Sequence, residues 1–222
     1  MHIYELITEK GEIDANIWQK IGYCRQMLNN QEGALQAYLQ ADLLSADNTW
    51  TLKRITQLYR SLKQPEKAIE YYKKLQTLTI DNISVELNIG HCYLDTGDYD
   101  KAVNAYFKVE LLEGGDNSKA WRPIAWTSFL MKKFDVAQKY YQKIIADKPT
   151  VHDYLNAGHT ELALNNKKIA LDYYMNTVSA LKGESIDEFI RLFMADKDEL
   201  VKVGIDEKFF PVLFDELRYK LD

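Results

Sequence analysis

The sequence predicts an all-α protein built from stacked helical hairpins, and three observations lead there. Tyr4, Tyr38, Tyr72, Tyr106, Tyr141 and Tyr174 follow one another at intervals of 34, 34, 34, 35 and 33 residues. An alanine stands four positions before each of the last five, in the pairs Ala34 and Tyr38, Ala68 and Tyr72, Ala102 and Tyr106, Ala137 and Tyr141, Ala170 and Tyr174. Residues at that spacing share one helical face. Twelve positions before each alanine comes a second small residue: Gly22, Thr56, Gly90, Ala125 and Gly158. A fixed period in this range means that one supersecondary unit has been stacked several times, so function is sought on a surface before it is sought in chemistry.

Each unit divides into two helices. The first carries the small position, preceded by Ile21, Ile55, Ile89, Ile124 or Ala157, with a bulky Trp18, Leu52, Trp121 or Tyr154 four residues before it. Glu86 alone breaks that column. Turn-prone stretches follow, Asn29-Asn30-Gln31, Lys63-Gln64-Pro65, Gly97-Asp98-Tyr99, Lys132-Lys133-Phe134 and Asn165-Asn166-Lys167. Gly and Asn suit the left-handed conformation that ends a helix. The second helix carries the alanine and the tyrosine. The small residues are expected to let the two helices approach, while the tyrosine fills the seam to the next hairpin.

The ends depart from this rhythm. Tyr4 and Ile7 stand where a preceding unit would have the second half of its second helix, so residues 1–14 are expected to be a half-repeat of a longer array. A short native N-terminal cap is the alternative. Five units fill 15–183, and the rhythm stops after Lys182-Gly183. Ser185 followed by Glu188 has the form of a capping box opening a helix with Phe189, Ile190, Leu192 and Phe193 as its apolar face. Asp196 with Glu199 opens a second short helix ending at Gly204, and a last segment carries Phe209, Phe210, Val212, Leu213, Phe214 and Leu217 with Pro211 in its first turn. An array needs a terminal element over its exposed face, so 184–222 is expected to cap the fifth unit. The alternative has the final helix docking into a groove or a second protomer.

The pattern resembles the tetratricopeptide repeat family, whose W-x-x-L-G-x-x-Y, A-x-x-x-F/Y, A and P positions spread over one unit. The copy from Ile83 to Asp116 matches most closely, with Ile89-Gly90, Tyr93, Gly97-Asp98-Tyr99, Ala102 and Tyr106, and Pro149 supplies the closing proline of the fourth. The resemblance implies a right-handed α-solenoid whose first helices line a concave groove, and a role in binding proteins.

Composition removes several rivals. With 46% hydrophobic residues, 10 Gly and 4 Pro, the chain is globular and compatible with helices. No stretch approaches the roughly 20 apolar residues of a membrane span. The start, Met1-His2-Ile3-Tyr4-Glu5, shows neither the basic residues nor the apolar run of a signal peptide, so a cytoplasmic location is expected, although upstream sequence would carry any such signal. Cys24 and Cys92 lie two units apart, beyond disulfide reach, and are expected as buried thiols. His91 and His159 are likewise two units apart, and His152 and His159 sit about 10 Å apart along one helix, so no metal or cofactor is expected. There is no phosphate loop, nucleophile elbow or zinc helix motif, and no enzyme activity is expected. With 28 basic against 33 acidic side chains and a net charge of -5, nothing draws nucleic acid.

The first helices then carry the argument. Their second, fifth, ninth and twelfth positions form a stripe: Asn16, Gln19, Tyr23, Gln26; Trp50, Lys53, Gln57, Arg60; Ser84, Leu87, His91, Leu94; Lys119, Arg122, Trp126, Phe129; His152, Leu155, His159, Leu162. None is acidic, where about three acids are expected among twenty residues of this chain. A partner segment carrying carboxylates and apolar side chains would suit such a face. Lys53, Arg60, Lys119 and Arg122 are expected to contact anions, with Trp126, Phe129, Leu94 and His91 as an apolar wall; Gln57, Asn88 and His159 complete the candidate set. In the alternative, Trp126 and Phe129 pack between repeats and the cations are ordinary solvated charges. The resemblance also raises the carboxylate clamp that grips C-terminal tails of cytosolic chaperones, which Lys53, Asn88 and Lys119 match by position; Gln57 and Pro123 depart from it. A scaffold binding a partner segment is the leading expectation, and a regulatory or assembly region of a larger enzyme or secretion machine is the alternative.

Overall fold

The computed structural model describes residues 14–80, 82–115, 119–181 and 185–221. The expected half-repeat, with Tyr4 and Ile7, lies outside them apart from Asp14, as does the Lys182-Gly183 boundary. The described residues form α-helices with one 3-10 turn and no strand. Five hairpins run α1 (Ala15–Met27) with α2 (Gln31–Leu44), α3 (Thr49–Ser61) with α4 (Pro65–Leu78), α5 (Ile83–Asp95) with α6 (Tyr99–Leu112), α7 (Trp121–Leu130) with α8 (Phe134–Ala146), and α9 (Val151–Ala163) with α10 (Lys167–Ala180). Three further helices follow: α11 (Ile186–Ala195), α12 (Lys197–Val203) and, after a 3-10 turn at Glu207–Phe209, α13 (Phe210–Leu221). The chain divides into two compact units between Ala105 and Tyr106, inside α6. Within the first unit α1 packs on α2, α2 on α3, α3 on α4 and α4 on α5, and within the second α7 packs on α8, α8 on α9 and α9 on α10.

Short polar side chains start several of the helices. Asp14, Asn30 and Asn48 accept from the backbone N–H groups of Ile17, Gly33 and Thr51 at 2.8, 2.9 and 3.0 Å. Each satisfies one of the donors that an α-helix leaves open in its first turn. Thr150 and Asp153 form a reciprocal capping box on α9, and Ser185 accepts from the Glu188 N–H at 3.4 Å on α11. Gly204, with φ of 110°, closes α12.

Every hairpin turns in the same way. Residues 28–30, 62–64, 96–98, 131–133 and 164–166 link its helices, and the middle residue of each link is left-handed: Asn29, Lys63, Gly97, Lys132 and Asn165, at φ of 59°, 55°, 78°, 59° and 61°. Glycine occupies this seat without strain, whereas a side chain costs about 1 to 2 kcal/mol there. After glycine's extra entropy in the unfolded chain is subtracted, Lys63→Gly and Lys132→Gly should each raise stability by about 0.5 to 1 kcal/mol. Urea denaturation checks this, and a loss in both variants would contradict the turn geometry.

In the first and last hairpins the tyrosine lies over the small residue. A Cβ added to Gly22 would come within 2.8 Å of the Tyr38 ring, and Gly158 is similarly covered by Tyr174. Tyr38 and Tyr174 are fully buried. Tyr38 also meets Trp50 of the next hairpin edge to face, at 5.7 Å between centroids. The ring therefore fills the crossing of its own hairpin as well as the seam ahead. In the first unit the apolar core runs through Ala34, Tyr38, Leu52, Ile55, Ala68, Tyr72, Leu75, Ile89 and Cys92. In the second, Tyr174 is enclosed by Phe189 and Phe193 of α11, and Phe193 meets Phe210 and Phe214 of α13 at 5.0 and 5.2 Å.

Candidate functional site

In the first unit, three first helices, α1, α3 and α5, carry the relevant face. Tyr23 and Trp50 hold large rings in solvent, 49% and 42% exposed. With Asn16, Gln19, Lys20 and Cys24 they line an open pocket of about 490 Å³. Trp50 is held from two sides, by the Tyr38 ring and by the Arg54 guanidinium 5.2 Å over its face. Gln19 donates to the Thr51 hydroxyl at 2.8 Å, tying α1 to α3 beside the pocket. Lys53 and Gln57, one and two turns further along α3, are exposed.

Arg60 is half-buried and donates to the side-chain oxygen of Asn88, whose amide nitrogen donates to the Ser84 carbonyl at 2.7 Å. Both ends of the Asn88 amide are thereby engaged. His91 and Leu94 are half-buried on α5. Burial pulls the His91 pKa below its ordinary value, the nearby Arg60 charge adds to this, and Asp95 opposes it, so His91 is held toward its neutral form. Cys24 is half-buried, where a buried thiol was expected; Cys92 is fully buried, and burial lifts its thiol to about 11, which leaves it unreactive.

In the second unit, Arg122 extends from α7 and grips Asp153 of α9. Its Nε lies 2.9 and 3.1 Å from the two carboxylate oxygens and Nη2 lies 2.8 Å from Oδ2, with a further bond to the Lys148 carbonyl at 3.2 Å. Burial pushes the Asp153 carboxyl up, but Arg122 and the donors of Thr150 outweigh it and hold the group below the usual carboxylate range. Trp126 is half-buried and stacked on Phe129, 5.3 Å between centroids and 17° between planes. Phe129 is 0% exposed and also packs against Phe134.

Four expected residues are placed differently from the sequence reading. Phe129 and His159 are fully buried, so neither presents a side chain to a partner as placed. Arg122 already has its fork filled by Asp153. Lys119 lies in the turn ahead of α7, not on the helix; its N–H donates to Glu113 at 2.9 Å and its ammonium is 3.9 Å from the same carboxylate. Pro123, in the first turn of α7, needs no hydrogen-bond partner there, which suits a helix starting at Trp121. Tyr23 and Trp50 were not singled out from the sequence. Their signal was an aromatic at a stripe position on each of two consecutive first helices.

Residues 55–79 and 87–112 match the family model of the tetratricopeptide repeat. The crystal structure of MamA protein superposes with a TM-score of 0.67 at 21% identity, over 75% of this chain and 91% of that one. Residues 55–79 and 87–112 are thus tetratricopeptide repeats, and the fold is that of tetratricopeptide repeat proteins. PilW, described as a widely conserved type IV pilus biogenesis factor, gives 0.64 at 19% identity over 82% of this repeat protein and 85% of PilW. YrrB, described as a protein of the same repeat class with an unusual peptide-binding site, gives 0.62 at 15% identity over 97% of each chain. At these identities the likeness is one of fold. No curated protein sequence matches this repeat protein.

The tetratricopeptide fold generally mediates contacts between proteins, and its members are generally non-catalytic scaffolds. Among the described residues of this repeat protein, no group of three or more His, Cys, Asp or Glu could hold a metal ion. No described helix is long and apolar enough to cross a membrane.

Proposed function

We propose that the chain is a non-catalytic scaffold that binds a segment of a partner protein on the solvent-exposed face of α1, α3 and α5, anchored at the pocket between Tyr23 and Trp50. The observation that carries this reading is the pair of half-exposed rings around an open pocket whose described lining contains two amide side chains and a lysine but no carboxylate. Tyr and Trp are prominent among residues that dominate binding energy, and an apolar pocket with a few placed polar groups is the usual form of a binding site. Trp50 is also held in place before any partner arrives, so little ordering cost falls on binding.

Charge narrows the partner. Lys20 and Lys53 flank the rings and are exposed. A segment that inserts an aromatic or large aliphatic side chain between Tyr23 and Trp50, and carries carboxylates beside it, complements this face. The peptide ligand class named for YrrB makes short segments the first to screen. Asn88 is occupied by Arg60, and Arg122 by Asp153, so the anion contacts are assigned to Lys53 and Lys20.

A peptide array probed with the intact chain tests the reading. Segments with an apolar anchor next to acidic residues should be enriched, and Trp50→Ala should weaken the best of them by about 30-fold, the equivalent of a 2 kcal/mol hot spot. Lys53→Glu, at an exposed position with no packing role, should weaken acidic segments and spare neutral ones. Helicity is followed by circular dichroism in parallel. An array without acidic and apolar enrichment, or undiminished binding by Trp50→Ala, would sink the assignment.

A further inference from the structure

The sealed histidine of the last hairpin lies in the second unit, whereas the residues assigned to binding on α1, α3 and α5 belong to the first. His159 of α9 is 0% exposed. Its Nδ1 lies 3.0 Å from the Tyr174 hydroxyl of α10, and the edge of its ring meets Phe193 of α11 at 4.9 Å. Its Nε2 makes no hydrogen bond and lies 3.5 Å from the carboxylate of Asp196, in the turn between α11 and α12. Asp196 is the charged group that acts on the ring, and the buried Tyr141 phenol of α8 stands in the field of the same carboxylate.

The neutral imidazole fits this box and the imidazolium does not. With the proton on Nε2, the Tyr174 hydroxyl donates to Nδ1 and the Nε2–H points toward Asp196. A second proton turns Nδ1 into a donor. Tyr174 must then give up its acceptor while it remains fully buried against Phe189 and Phe193, and the charge itself sits among aromatic rings. Moving α11 aside removes both costs by letting water reach the pair.

We propose that the contact of α11 and α12 with the last hairpin is an acid-released latch: protonation of His159 loosens α11–α13 from α9 and α10 and uncovers the aromatic face of Tyr174 and Phe193. Burial holds the docked imidazole below the ordinary histidine pKa and outweighs Asp196, which acts the other way. The sign follows from linkage. The docked form takes up its proton less readily than the open form, so docking is fully stable above about pH 6.5 and weakens as pH falls through that value.

Hydrogen exchange on the full chain at pH 7.5, 6.5 and 5.5, corrected for intrinsic rates, reads the opening directly. Opening of α11–α13 should rise by up to about tenfold between pH 7.5 and 5.5 in the native chain, and should stay flat in His159→Gln. An equal rise in His159→Gln, or no rise in the native chain, overturns the latch. Should His159→Gln undock these helices at every pH, the titration of the native His159 ring by nitrogen-15 resonance decides. Protonation accompanied by loss of α11–α13 protection supports the latch, and protonation with protection intact refutes it.

Discussion

Phe193→Ala is expected to cost about 3 to 5 kcal/mol, the range for deleting a fully buried aromatic ring. The ring is 0% exposed and touches five others: His159 at 4.9 Å, Tyr174 at 5.7 Å, Phe189 at 5.9 Å, Phe210 at 5.0 Å and Phe214 at 5.2 Å. Several of those contacts are edge to face, a geometry that adds to simple area burial. Because the neighbours come from α9, α10, α11 and α13, none of them can close the gap without breaking its own packing. In a repeat protein the loss should stay local. Hydrogen exchange should show α9–α13 deprotected while α1–α4 keep their native protection. Uniform loss along the chain, or urea denaturation unchanged from the native protein, would contradict the packing described for this end.

The second large effect is at Gly158. Replacing glycine by alanine inside a helix ordinarily gains up to about 1 kcal/mol. Here the new methyl would fall closer than 3.0 Å to the Tyr174 ring. That ring cannot retreat, since Phe189 and Phe193 stand 5.5 and 5.7 Å from it and His159 holds its hydroxyl. Gly158→Ala should therefore destabilise, and Gly158→Leu should reach about 3 kcal/mol or more, at the upper end of overpacking costs. The sign of the alanine variant is the sharper test. A gain in denaturation midpoint for Gly158→Ala would show that the hairpin crossing has slack.

The hairpin phase was legible because it rests on local rules: small residue, alanine and tyrosine at fixed offsets. The left-handed seats at Lys63 and Lys132 were hidden, since lysine has no preference for that conformation and only the neighbouring units, with Asn29, Gly97 and Asn165, mark the place. The candidate stripe was less legible for two reasons. The stripe positions are equivalent only among the repeats themselves, but α11 is no part of any repeat and it covers His159. Asp153, which captures Arg122, stands at the third position of its helix, beside the four stripe positions and not among them. Lys119 was misplaced by the same strict phase, because α7 starts at Trp121 and is shorter than the other first helices.

The uniform turn within each hairpin bears on which length changes the chain can absorb. The offset from small residue to alanine is identical in all five copies, and the departures from a period of 34 arise between hairpins, most visibly on the path from Leu112 to Trp121. One residue added inside a hairpin would swing the following helix by about 100° and carry its tyrosine off the crossing. Insertions and deletions should accordingly be tolerated where one hairpin hands over to the next, and those joints are where a tag, a cleavage site or a grafted loop belongs.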